Sequence, residues 1–193
     1  MEALFNEILS SVNAHLKIFD EMYGKVESRF VLIHLAAAIE EFSKYIFLYT
    51  FSKCKHYMID KYELPGDFIN FFHSLIESIE KLDKDHRFKY LLFLTFYYGY
   101  ERRKREGYLE ITTEERKDIE RDTEEITKLR NLYMTNVTEK RNFEINENFI
   151  KELRGKLNYL LQNRDELETT IASSCDPIIL SIEKTWKYLK RRK

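Results

Sequence analysis

Phe30-Val31-Leu32-Ile33-His34-Leu35-Ala36-Ala37-Ala38-Ile39-Glu40-Glu41-Phe42 decides the fold. In the run it opens, Val31, Leu35, Ala38, Phe42, Tyr45 and Tyr49 recur at helical spacing, and Ile33, Ala36, Ala37 and Phe47 form a neighbouring stripe. Two apolar faces define a central helix, running from about Arg29 into the Cys54 region with Ser28 as its cap. The alanine run lets another helix approach closely. Between Phe30 and Phe51 lie His34, Glu40, Glu41 and Lys44, and charges at mid-span are costly in a bilayer, so this is a core helix with a polar edge.

Around that helix the same periodicity repeats. Leu4, Ile8, Val12, Leu16 and Phe19 predict a first helix from about Glu2 to Met22, ended by Gly24. Pro65-Gly66-Asp67 reads as a loop ending in a cap, followed by an aromatic helical face of Phe68, Phe71, Phe72, Leu75, Ile79 and Leu82. Phe88 to Tyr100 is nearly all apolar or aromatic, which fits a helix buried on most sides or one that continues into a partner. Thr112 and Glu115 have the separation of a capping box, opening a helix with a thin stripe of Ile119, Ile126, Leu129 and Tyr133. Acidic residues such as Glu114, Asp118 and Asp122 interleave there with Arg116, Lys117 and Arg121, as on an exposed helix face. Asn146 can cap the next helix, with Ile150, Leu153, Leu157, Leu160 and Leu161, and Asp176-Pro177 opens a last one through Trp186.

Composition agrees. Five Gly and two Pro in 193 residues, with 34% charged and 44% hydrophobic residues, leave little to interrupt long helices. The fold class expected is all-α, one domain over residues 1–193, an up-and-down bundle with additional helices. At this size folding buries roughly 70% of the surface exposed by the unfolded chain, so neither a disulfide nor a metal is needed for a core. Cys54 and Cys175 are far apart with no Cys-x-x-Cys spacing, and no disulfide is expected. The first residues carry Glu2 and Glu7 where a secretory signal needs cations, so a cytoplasmic location is expected. A formal net charge of −1 argues against a general nucleic-acid coat, and any RNA contact must be local.

Few arrangements carry chemistry. A di-iron bundle needs Glu-x-x-His on two helices, and no His here has Glu three residues before it. Asp83-x-x-His86 stands alone in a helix break and reads as a cap or surface pair, and His34 as a satisfied core histidine. His15, His56 and His73 have no companions at ligand spacing, so no metal and no cofactor are expected. Arg102, Arg103, Lys104 and Arg105, followed by Tyr108, can track an RNA backbone and stack a base; equally they can form a solvated turn paired with Glu101, Glu106 and Glu110.

Arg130-Asn131 followed by Asn136 is different in kind, because Arg presents a rigid fork of donors to a phosphate and each Asn donates and accepts. This stretch resembles the Arg-Asn…His-Asn signature of the HEPN superfamily, and the Phe30–Phe42 helix with its embedded Glu looks like the family's apolar helix. The resemblance implies a helical homodimer acting on RNA in a toxin–antitoxin or antiphage system, with a cognate antitoxin as a further partner. It implies a metal-independent endoribonuclease whose Arg130 holds the scissile phosphate in a groove lined by Arg130, Asn131, Thr135 and Asn136 of two subunits. Where the family carries its His, this chain carries Thr135, whose hydroxyl does not titrate near neutrality, so cleavage is expected to be reduced or lost. Glu40 is a candidate substitute base if the fold places it beside Arg130. A reading of a different class is a non-catalytic interaction or dimerisation module that docks through exposed aromatics among Phe93, Phe96, Tyr97, Tyr98 and Tyr100.

Overall fold

Helical stripes and caps place six helices among the described residues, and no strand is found there. The computed structural model describes residues 2–26, 28–60, 86–107, 111–135 and 146–175, together with residues 178 and 183. In chain order the helices are α1 (Glu2–Met22), α2 (Ser28–Asp60), α3 (His86–Glu106), α4 (Thr113–Thr135), α5 (Glu147–Gln162) and α6 (Arg164–Ser173). The expected loop at Pro65-Gly66-Asp67 and the aromatic helix after it lie outside the described residues, as does most of the helix expected after Asp176-Pro177.

Local chemistry sets the ends. After α1 the chain turns at Gly24 with φ +79°, and after α3 at Gly107 with φ +83°, a backbone region that glycine enters without a Cβ clash. The capping box closes as expected: the Glu115 amide donates to Thr112 Oγ1 at 3.0 Å and the Thr112 amide donates to Glu115 Oε2 at 2.8 Å. Asn146 caps α5, its side-chain oxygen accepting from the Phe149 amide at 3.1 Å.

Helix α2 lies at the centre, packed against α1, α3, α4 and α6. Its two apolar faces are both buried: Val31, Leu35, Ala38 and Phe42 on one, Ala36 and Phe47 on the other, with Ile39 and Ile46 between. Facing them, α3 contributes Phe88, Tyr90, Leu92, Phe93, Leu94 and Tyr100 to the same core. Each fully buried Phe or Leu of this set contributes roughly 1.5–3 kcal/mol relative to exposure. Helix α5 is fastened at two points: Arg154 forms a two-pronged pair with Asp20 of α1, at 2.7 and 3.0 Å, and Lys156 lies 2.9 Å from Asp122 of α4.

Three expectations change. Cys54 and Cys175 are joined in a disulfide, with Cα atoms 5.3 Å apart across 121 residues of sequence, because the end of α2 and the segment after α6 meet in the core. Asp122 does not belong to a solvated face: its side chain is buried, and Lys156 and Arg121 satisfy it. His15 has a companion after all, its Nδ1 lying 3.0 Å from Nδ1 of His34, so that the histidine of the central helix is answered by another histidine on α1. Among the described residues, no helix is long and apolar enough to cross a membrane.

Candidate functional site around Arg130 and Glu40

Glu40 sits on the edge of α2 that faces the start of α3 and the end of α4. Position 40 follows the buried Ile39, and its carboxylate is largely enclosed, its side chain 13% exposed. A carboxylate taken from water to this degree requires partners. They come from both neighbouring helices. From α3, Lys89 Nζ lies 2.9 Å from Oε2, His86 Nδ1 lies 2.7 Å from Oε2, and the Tyr90 hydroxyl donates to Oε1. From α4, Arg130 Nε donates to Oε1 at 3.1 Å.

The spacing in α3 explains its triple contribution. Lys89 and Tyr90 follow His86 by three and four residues, so both lie one turn after it on the same side of the helix. Lys89 is almost fully enclosed, while His86 and Arg130 stand nearer solvent, with side chains 28% and 21% exposed. The cluster therefore has a depth order, with the ammonium at the bottom and the imidazole and guanidinium at the rim. The Ser43 hydroxyl, 2.8 Å from the Lys89 carbonyl, holds α2 and α3 in register beside it.

One pair fixes the hydrogens. Arg130 Nη2 lies 2.5 Å from His86 Nε2, and a guanidinium only donates, so Nε2 is the acceptor and the ring proton sits on Nδ1, where it donates to Glu40. Glu40 thus orients His86, and His86 presents a lone pair to Arg130. Burial pushes the Glu40 carboxyl up, but the Lys89 charge and hydrogen bonds from Tyr90 and Lys89 outweigh it, so its pKa lies below the ordinary carboxylate value. The Tyr90 phenol is pushed up, first by burial and then by the neighbouring Glu40 charge, and stays a neutral donor.

Of the residues singled out from the sequence, Arg130 and Glu40 are brought together. Asn131 follows Arg130 on α4 and is exposed, and the backbone of Thr135 closes the same helix. The Thr135 side chain and the whole of Asn136 lie outside the described residues. His86 is the participant that spacing alone misjudged: it belongs to this cluster, while Asp83, with which it was paired from the sequence, lies outside the described residues. The 46 residues separating it from Glu40 leave no periodic signal.

The basic turn resolves toward internal pairing. Arg102 is held by Glu106 and Glu115, at 2.9 and 3.2 Å, and Arg105 reaches Glu115 at 3.5 Å. Arg103 donates to the Thr170 carbonyl and to Ser174 Oγ, and Lys104 bonds Glu166 and Asn163 while lying over the Tyr100 ring. These four residues fasten α3 to α4 and α6. Tyr108 lies outside the described residues.

The aromatics expected to form a docking face are occupied by the chain itself. Phe93, Phe96 and Tyr100 are buried, and Tyr97 and Tyr98 are half-buried beneath Lys156, with Tyr97 edge-on to Tyr159 of α5. No family model, curated protein or solved structure matches this chain.

Proposed function

We propose that this chain is a HEPN-like protein that acts on RNA through Arg130, as a homodimer in a toxin–antitoxin or antiphage setting. The observation that carries the reading is the placement of Arg130: its Nε and Nη2 are anchored by Glu40 and His86 at a partly exposed rim. An anchored guanidinium binds phosphate with less loss of side-chain freedom than a mobile one. The resemblance of Arg130-Asn131…Asn136 to the family signature, and of the Glu40 helix to its apolar helix, supplies the substrate class. RNA carries its own nucleophile, the 2′-hydroxyl, so the protein's task is to hold the phosphate and manage protons.

Binding of a fluorescent single-stranded RNA by the full chain, followed by anisotropy over a range of salt, tests this. Arg130→Ala is expected to weaken binding and to lower the slope of log K against log salt by about 1, as for the loss of one phosphate contact. Thr135→His is expected to raise cleavage. Equal affinity and slope in wild type and Arg130→Ala, with no cleavage gained by Thr135→His, would end the proposal.

A further inference from the structure

We propose that His86 is the proton-transfer group of the Arg130 site, supplying from α3 the imidazole that position 135 lacks; this rests on the RNA reading above. The sequence holds Thr135 where the family has His, and the fold brings a different imidazole, 44 residues before Arg130, to 2.5 Å from its guanidinium. The arrangement has the three parts of an activated base: a carboxylate, an imidazole whose Nδ1–H donates to it at 2.7 Å, and an Nε2 lone pair on the outer side of the ring. Histidine is the side chain whose ordinary titration spans the neutral range, which a threonine hydroxyl does not do.

Among the described residues, Glu40 of α2 and Arg130 of α4 bond the imidazole, and Lys89 and Tyr90 of α3 share the Glu40 carboxylate with it. In the structure Arg130 Nη2 donates to the Nε2 lone pair. When a phosphate oxygen takes the Nη2–H of Arg130, with Nε still held by Glu40, that lone pair is released to an adjacent 2′-hydroxyl. The proton of the 2′-hydroxyl then passes to Nε2, and the 2′-oxygen forms a bond to phosphorus. The bond from phosphorus to the 5′-oxygen breaks with its electron pair, and that oxygen takes a proton from the imidazolium or from water. The products are a 2′,3′-cyclic phosphate and a 5′-hydroxyl, with no net change in protons. Glu40 stabilises the transient imidazolium through the Nδ1–H bond that already exists.

The test uses the full chain, a labelled single-stranded RNA and EDTA, with RNA affinity and cleavage rate measured separately. His86→Asn retains a donor toward Glu40 but no titrating nitrogen. It is expected to cut the cleavage rate by about 10²–10⁴-fold at nearly unchanged RNA affinity and to erase the neutral limb of the pH–rate profile. Added imidazole is expected to restore cleavage to His86→Ala, a rescue that a structural role does not produce. Undiminished cleavage in His86→Asn, RNA binding by wild type without any cleavage, or an affinity loss as large as the rate loss overturns the role of His86 and leaves the RNA reading standing. Failure of wild type to bind RNA removes both.

Discussion

Arg130 and Glu40 stand 90 residues apart in the chain, and Nε of one lies 3.1 Å from Oε1 of the other. The same carboxylate also takes Lys89, His86 and Tyr90. Glu40 is therefore the point at which α2, α3 and α4 are joined by charge as well as by apolar packing, and its removal affects each partner differently.

Lys89 is the partner that loses most. Its side chain is 2% exposed, so Glu40→Ala takes an anionic partner from a buried ammonium, and breaking a buried pair in this way typically costs up to about 3–5 kcal/mol. Urea unfolding is expected to show a loss of that order, and the double variant Glu40→Gln/Lys89→Met to recover a large part of it. Equal stability of Glu40→Ala and wild type would show that the pair contributes nothing.

The disulfide closes a loop spanning 121 residues of sequence. Loop-entropy reasoning gives such a crosslink a few kcal/mol, within a usual range of about 2–5 kcal/mol for native bridges. The double variant Cys54→Ser/Cys175→Ser is expected to unfold at lower denaturant concentration than oxidised wild type, and reductant to shift only the wild type. A non-reducing peptide map that recovers both cysteines as free thiols would contradict the bridge.

Acid acts on the fold in two windows. The His34 pKa is lowered from 6.5, by burial first and by His15 second. The unfolded chain therefore binds its proton more readily, and stability that is complete above pH 6.5 declines as pH falls below it. Glu40 is likewise lowered, from 4.5, so its contribution is complete above pH 4.5 and is lost as pH falls through the lower folded value. Urea midpoints measured from pH 7 downward are expected to show His15→Gln flattening the first decline and leaving the second in place.

The basic turn offers a negative prediction. Because Arg102, Arg103, Lys104 and Arg105 are engaged with α4 and α6, alanine at any of them is expected to leave the salt dependence of RNA binding unchanged, in contrast to the unit decrease for a lost phosphate contact. A reduced slope in any of the four would restore the turn as a binding surface.

What the sequence made legible follows the range of each interaction. The Thr112/Glu115 box, the Asn146 cap and the turn at Gly24 are local, so residue type and spacing identify them. The double stripe of α2 likewise announces burial, and Val31, Leu35, Ala38 and Phe42 of one face and Ala36 and Phe47 of the other are in the core, with Ile33 and Ala37 at its margin. His86, Asp122 and the two cysteines were misjudged for one reason: each is satisfied by a residue from a distant segment, and helical periodicity carries no information about which helices meet. Of the Arg130 stretch, the anchoring of Arg130 by Glu40 depended on such a meeting, which the sequence raised only as a condition.

The shared carboxylate of Glu40 has a consequence for how the site fails. Its partners reside on two helices, α3 and α4, and the carboxylate itself on a third, so undocking either neighbour removes part of its set and separates Arg130 from His86 or both from Glu40. The rim groups thus act as a built-in reporter of assembly. Heat or denaturant should extinguish the guanidinium–imidazole geometry in the same cooperative step that melts the bundle.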